Sequence, residues 1–320
     1  MGEPALRTKR REIEAATHLP LTRHVTPEVI ASTNRTLLTC IRCEGVSFET
    51  ADAVDLNDLH TKLNLSLRNI ADERLALWTH VIRTRDATYP PGSFRSAFAR
   101  DLDGAYREHL LNADLFRNNL ILSLVWHPGR DPAERAAAFF SRLGRAARAG
   151  IEVDPQGLKK LEDTTRDIVA ALGRYGPRRL GLYDRSGIVF SEAMEFLHRI
   201  VSGEQLPMPL VQGPIGPALY TNRLIFGREA LEVRSPSGSR FAGMLGLKEY
   251  PAATRPGQFN ALLSLPLELV VTQSFAFLSK ADAKTVLTRS RISSSPPTIP
   301  QQARSATLLK HSTTLSRTAS

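Results

Sequence analysis

"RLIFGREALEVRSPSGSRFAGMLGLKEY", residues 223–250, places apolar and polar side chains in alternation on both sides of a Pro-Ser-Gly turn. Alternation at a period of two, broken by turn residues, predicts a β-hairpin. The end of this stretch overlaps "GMLGLKEYPAATRPG", residues 243–257, whose glycines, lysine and threonine invite comparison with a phosphate-binding loop. Such a loop needs glycine-rich backbone around the phosphates and a Gly-Lys pair to reach the outer ones. No Gly-Lys pair occurs anywhere in the chain, and Glu249 and Tyr250 continue the strand pattern after Lys248. Gly243 and Gly246 are therefore read as allowing close backbone packing, with Pro251 and Pro256–Gly257 closing the strand in a turn.

Working outward, "RTLLTCIRCEGVSFE" reads as a strand and "AVDLNDLHTKLNLSLRNIA" as a helix with Val54, Leu59, Leu63 and Leu67 near one face. "RLALWTHVIRTR" reads as a half-buried strand, Phe94 to Leu111 as a helix and "NNLILSLVWHP" as a buried strand. That order predicts a mixed α/β first domain over residues 21–128, preceded by a flexible basic arm at 1–20. Two Asp-Pro starts, at Asp131–Pro132 and Asp154–Pro155, predict a helical hairpin over 129–178, its second arm packing through Leu158, Leu161, Ile168 and Leu172. "GIVFSEAMEFLHRIVSG" reads as a helix with Phe190, Met194, Leu197 and Val201 on one face. With the hairpin at 223–250, a short helix in "GQFNALLSLP" and a strand in "LELVVTQSFAFLS", it makes a second α+β domain at 179–289. The fold class is thus α/β, in the mixed α+β sense, with two sheet-containing subdomains, an inserted helical hairpin and a C-terminal tail.

Composition sets the outer limits. A chain of 320 residues with 42% hydrophobic residues can bury two cores. The net charge of +10 favours acidic partners, but four of those charges fall in residues 290–320, so the body is only modestly basic. No secretory signal is visible, and the most apolar run, "ALLSLPLELVV", is short and carries Glu268, so no bilayer span is expected.

Residue types that carry chemistry are present but do not assemble into a motif. Cys40 and Cys43 form a lone CxxC in an apolar, strand-like context without a second pair, which argues for two strand cysteines in a reducing compartment rather than zinc or redox work. No GxSxG or HExxH motif occurs. His80 and His198 are read as interface or satisfied surface histidines. Asp52, Asp55 and Asp58 are read as acids favouring a helix N-terminus. Arg135, Arg142, Arg145 and Arg148 form a solvated helix face, although they could track a phosphate backbone. No catalytic, cofactor-binding or metal-ligating residue is assigned.

The hairpin region through Ala283 resembles the CagE/TrbE/VirB family of type IV secretion-system ATPases, in the region ahead of their motor domain. The resemblance rests on Phe226-Gly227-Arg228-Glu229, Lys248-Glu249-Tyr250-Pro251, Thr254-Arg255-Pro256-Gly257 and Gln273-Ser274-Phe275. "GIVFSEAMEFLHRIVSGE" and "LPMPLVQGPIGPAL" look like the same family, and similarity extends back to about Thr22. It implies a role in conjugation or protein transport, at the cytoplasmic side of the inner membrane, bound peripherally to channel and pilus-assembly subunits. Lys248, Glu249, Tyr250 and Arg255 become possible interface residues toward the motor, and an uncovered motor-facing surface implies self-association.

The motor that the resemblance leads one to expect next is not legible. After Arg289 the chain becomes "SRISSSPPTIPQQARSATLLKHSTTLSRTAS", rich in Ser, Thr and Pro and free of acids. Residues 290–320 are therefore expected to form a disordered tail, and the chain is expected to be a truncated member, altered by frameshift or deletion near codon 290. ATP and magnesium are expected only in full-length members; with no phosphate loop, no ATP hydrolysis by this chain is expected. The alternative expectation is a basic nucleic-acid-binding module.

Overall fold

The computed structural model describes residues 15–46, 51–128, 153–236, 238–247, 257–277 and 314–319. The chain divides into two compact units that are each discontinuous in sequence. The first takes in residues up to Trp78, Leu122–Arg223 and Ser274–Lys310; the second takes in Thr79–Ile121, Leu224–Gln273 and His311–Ser320. Four of these cuts fall inside strands, among them the two long ones β4 (Leu75–Arg85) and β5 (Phe116–Trp126), which contribute residues to both units.

The first unit is built on strands in the order β1-β2-β3-β5-β4, with β1 at Leu21–Thr26, β2 at Val29–Ser32 and β3 at Leu37–Cys43. The short polar hairpin β1–β2 escaped the sequence reading, because "LTRHVT" has little apolar signal. The β2–β3 turn is closed by Ser32 N donating to the Thr36 carbonyl (2.9 Å) and by Thr36 N donating to Ser32 Oγ (3.0 Å). Residues 15–20, read as part of a flexible arm, include a 3₁₀ turn at Ala15–His18 that packs on the short helix near residue 217.

Cys40 and Cys43 lie on β3 and are both buried free thiols, as a strand covered on both faces requires. The expected helix over residues 53–71 is α1, Ala53–Asn69, but its apolar face is only partly covered: Leu59 and Leu67 are half-buried, Val54 and Leu63 are exposed, and none of its residues is fully buried. Strand β4 differs too. Leu75, Ala76 and Leu77 are buried in succession, which marks an interior strand rather than a half-buried one.

The predicted helix after Asp154 is α3, counting α2 in the second unit below. It spans Pro155–Ala171, starts with Pro155 and has Asp154 as a cap accepting from Gln156 N at 3.0 Å. Leu161 and Ile168 are buried on it as the stripe required, with Leu172 just beyond its end. The first arm of the expected helical hairpin lies outside the described residues.

Strand β6 (Arg178–Arg179) pairs with β3, and β7 (Leu182–Arg185) with β8 (Ile188–Ser191) makes a two-stranded sheet. The helix expected from Gly187 onward starts only at α4, Glu192–Ser202, because Ser191 caps it by accepting from Met194 N at 3.1 Å. Phe190 therefore lies in β8, and the buried face is carried by Ala193, Met194, Phe196, His198 and Ser202. A five-residue helix, α5 (Ile215–Leu219), interrupts the proline-rich connector.

The second unit has strands in the order β5-β4-β12-β13-β11-β10-β9. Its additional elements are α2 (Ala97–Asn112), β9 (Arg223–Phe226), β10 (Leu231–Ser235), β11 (Gly238–Gly246), a 3₁₀ turn at Asn260–Ser264, β12 (Glu268–Ala276) and β13 (Thr314–Ala319). The predicted hairpin is β10–β11, with Ser235 opposite Gly238, while Gly227 breaks its first half into two strands. Gly243 and Gly246 do not serve close packing: a Cβ at either would meet open space. Within the tail expected to be disordered, residues 314–319 pair as β13; the rest of that tail lies outside the described residues.

Candidate interaction surface

Of the sequence-selected residues, Lys248, Glu249, Tyr250 and Arg255 lie outside the described residues, as do Arg135, Arg142, Arg145 and Arg148. The two histidines are not surface groups. His198 is fully buried, its Nδ1 at 2.9 Å from the Leu219 carbonyl and its Nε2 at 3.0 Å from Ser202 Oγ, so it ties α4 to the end of α5. His80 is buried with Nδ1 at 3.0 Å from Thr272 Oγ1, and burial pushes its pKa down to about 4. Asp52 stands at the cap position of α1 without a side-chain capping bond, and Asp58 pairs with Lys62 at 2.6 Å. Burial pushes the Cys40 thiol up to about 12 and raises Cys43, which leaves both as inert core thiols. Among the described residues no group of His, Cys, Asp or Glu could hold a metal ion.

Strand β6 organises the charges of the first unit. Its two arginines point to different helices. Arg178 makes a two-pronged pair with Glu192 at the start of α4 (2.7 and 2.8 Å), and Arg179 makes one with Glu162 on α3 (2.6 and 3.1 Å). Arg179 also donates to Thr39 Oγ1 on β3 at 3.2 Å, so two residues fasten two helices to the sheet. Burial opposes ionisation of Glu192, but the Arg178 bonds and the Gly181 N–H outweigh it and hold its carboxyl below the usual range. Near β1, His24 Nε2 stands 3.0 Å from Ser191 Oγ, and burial lowers the pKa of the imidazole.

In the second unit the notable surface is apolar. Helix α2 has no buried residue. Phe98, Leu102 and Tyr106, spaced by four and therefore on one face, are 76%, 59% and 56% exposed. The helix is nonetheless fixed in place. Ser96 caps it by accepting from Ala99 N at 3.1 Å, and Tyr89 clasps it by donating to Asp103 (2.6 Å) while its ring meets Tyr106 edge-on and lies under Arg107. Phe226 on β9 and Phe241, Met244 and Leu245 on β11 are exposed as well. A held helix presenting aromatic and aliphatic side chains to solvent can bury them only against another molecule or another segment. The spacing of Phe98, Leu102 and Tyr106 was visible in the sequence, but periodicity cannot tell a covered stripe from an open one.

Comparison with known proteins gives this surface its setting. Residues 28–133 match the family model "Type IV secretion system ATPase VirB4/TrbE, N-terminal domain", and residues 178–313 match "CagE, TrbE, VirB family, component of type IV transporter system". The second match continues past position 290, where the sequence reading ends the resemblance. The chain is 45% identical over 280 residues to the type IV secretion system protein virB4 of Bartonella henselae, covering 88% of this chain and 36% of that protein. It is 35% identical over 271 residues to protein virB4 of Agrobacterium fabrum (84% and 34%) and 29% identical over 293 residues to the type IV secretion system protein PtlC of Bordetella pertussis (88% and 34%). The chain spans about a third of the length of these relatives. With both models matching in order and these relatives aligned over most of its length, the chain belongs to the CagE/TrbE/VirB family of type IV secretion components, its residues 28–133 matching what the first model describes as an N-terminal domain.

Proposed function

We propose that this region is a docking module of a type IV secretion apparatus, holding inner-membrane channel and pilus-assembly subunits through the open face of α2. The observation that carries the reading is the Phe98, Leu102 and Tyr106 stripe on a helix that is anchored yet buries none of its residues. Buried aromatic anchors dominate binding energy at interfaces, and these three are already held in a fixed frame, so little ordering entropy is lost on docking. Attachment to the membrane would then be peripheral and through partners; among the described residues no helix is long and apolar enough to cross a bilayer. Self-association through the same face is a competing use of it. A nucleic-acid role would rest on the basic arm and on Arg135, Arg142, Arg145 and Arg148, and those four arginines lie outside the described residues, so no observation favours it over docking.

Because no Gly-Lys pair is present, the chain by itself is proposed not to hydrolyse ATP. Magnesium-dependent phosphate release from the purified chain, absent from a mock preparation, overturns that part. The docking reading is tested by co-purifying inner-membrane channel subunits with the wild-type chain and with the double variant Phe98→Glu/Leu102→Glu. Both side chains are exposed, so thermal stability should stay unchanged while retention falls at least about tenfold, the loss of two anchors. Unchanged retention, with folding intact, refutes it.

A further inference from the structure

Arg83, on the part of β4 that belongs to the second unit, is the only buried arginine or lysine among the described residues, at 9% exposure. Its guanidinium is fixed within that unit. Nε donates to the Leu265 carbonyl at 2.8 Å, Nη1 donates to Asn118 Oδ1 at 3.1 Å, and the central carbon lies 4.5 Å from the centre of the Phe116 ring. Both acceptors are neutral. A guanidinium carries about five N–H donors, so the second Nη1 proton and both Nη2 protons meet no acceptor among the described residues. No described carboxylate pairs with Arg83 either. Arg85, which shares the Phe116 ring, is matched by Asp114 (3.2 Å), and Arg117 is matched by Asp86 (2.6 Å). Glu268 accepts the main-chain N–H of Arg85 at 3.1 Å. The acids around Arg83 are thus spent on other groups. A buried cation without a counter-charge is costly, and stacking on an aromatic ring offsets only part of that cost.

We propose that the free Nη1–Nη2 edge of Arg83 is a carboxylate-binding site, which takes an aspartate or glutamate side chain of a partner polypeptide. The planar fork of that edge matches the two oxygens of a carboxylate, as the Arg178 and Arg179 pairs of the first unit illustrate. Its plane is locked before any ligand arrives, by the Leu265 and Asn118 bonds and the Phe116 ring, so docking orders little that is not already ordered. The edge is reachable. Asn118 and Leu265, which bond Arg83, are themselves exposed, and the unpaired Nη2 retains contact with solvent. Charge sets the ligand class. One unmatched positive charge suits a carboxylate, whereas a phosphate dianion would bring excess charge close to the carboxylates of Asp86, Asp114 and Glu268. The site shares no residue with the open face of α2, so it stands or falls independently of docking there.

The test is NMR on the full chain, reading the Nε–H signal of Arg83 and the side-chain amide of Asn118. The Arg83 signal is assigned by its cross-relaxation with the Phe116 ring and by its loss in Arg83→Lys. The probes are N-acetylglutamate methylamide, its neutral glutamine counterpart and inorganic phosphate. The glutamate probe is expected to shift both signals saturably, with an affinity at least about tenfold above that of either other probe. In Arg83→Lys, which keeps the charge but not the fork, the Asn118 response to the glutamate probe should weaken at least about tenfold. Absence of a saturable shift, or an equal response to the glutamine probe, overturns the proposal. Phosphate binding as tightly as glutamate overturns the assignment to carboxylates, and an undiminished Asn118 response in a folded Arg83→Lys overturns the role of the fork. Should Arg83→Lys fail to fold, the wild-type titrations decide alone, because the probes differ only in charge and shape.

Discussion

Replacing Arg179 probes the device that holds the first unit together. Its guanidinium meets both oxygens of Glu162 at 2.6 and 3.1 Å, with the two side chains 23% and 29% exposed. Fully exposed pairs contribute at most about 1 kcal/mol, while breaking a buried pair costs about 3 to 5 kcal/mol. A pair retaining about a quarter of its exposure belongs between, so the coupling energy between Arg179 and Glu162 is expected at about 2 kcal/mol. Arg179→Ala also forfeits the bond to Thr39, bringing its own cost to about 3 kcal/mol. At about 2 to 4 °C per kcal/mol for a unit of this size, the melting temperature should fall by about 6 to 12 °C.

The assay is a double-mutant cycle of Arg179→Ala and Glu162→Gln, measured by urea unfolding. Both tryptophans of the chain, Trp78 and Trp126, belong to the first unit, so intrinsic fluorescence reports on that unit. Arg179→Lys should recover less than half of the loss, because an ammonium cannot grip both oxygens. A coupling energy below about 0.5 kcal/mol, or full recovery by lysine, refutes the two-pronged clamp.

Other outcomes follow from the same structure. His80 has its folded pKa near 4, below the unfolded value of about 6.5, so the unfolded state takes up the proton first as pH falls. Its contribution is present above pH 6.5 and is lost between there and 4, by up to about 3 kcal/mol; His80→Gln should flatten that part of the stability-pH curve, and an unaltered slope contradicts the assignment. Gly216 lies in α5 with a hypothetical Cβ only 2.3 Å from the Leu19 carbonyl. Gly216→Ala, which in an open helix would stabilise by up to about 1 kcal/mol, should therefore destabilise by about 1 to 3 kcal/mol in thermal denaturation. Cys40 and Cys43 should resist a thiol reagent at pH 8 until the chain is denatured; stoichiometric labelling of the native chain within minutes contradicts their burial.

What was legible followed from local signals strong enough to survive any packing. Asp154–Pro155 fixed the start of α3 because capping and the proline ring act within one turn. The Pro-Ser-Gly turn fixed β10–β11 in the same way. Elsewhere local signals competed. The apolar positions of "GIVFSEAMEF" fit a helix from Gly187, yet Ser191 caps the helix only there and Phe190 stays in a strand. The candidate surface was less legible still. Phe98, Leu102 and Tyr106 show a stripe, but whether a stripe faces a core or solvent depends on neighbours far away in sequence. Nothing in the residues around His80 and His198 announced that both are buried, since their partners Thr272 and Leu219 lie 192 and 21 positions on.

By itself the sequence determined those elements that strong caps and turns announce, such as α3 and the β10–β11 hairpin, the absence of a Gly-Lys phosphate loop and, through long ordered matches, the family. Only the tertiary structure decided that β6 clamps two helices, that α2 stays open and that β13 lies between β11 and β12. The division has a physical cause. Caps, turns and side-chain periods are set by neighbours within a few residues, whereas burial and strand order are set by which distant segments exclude water from one another.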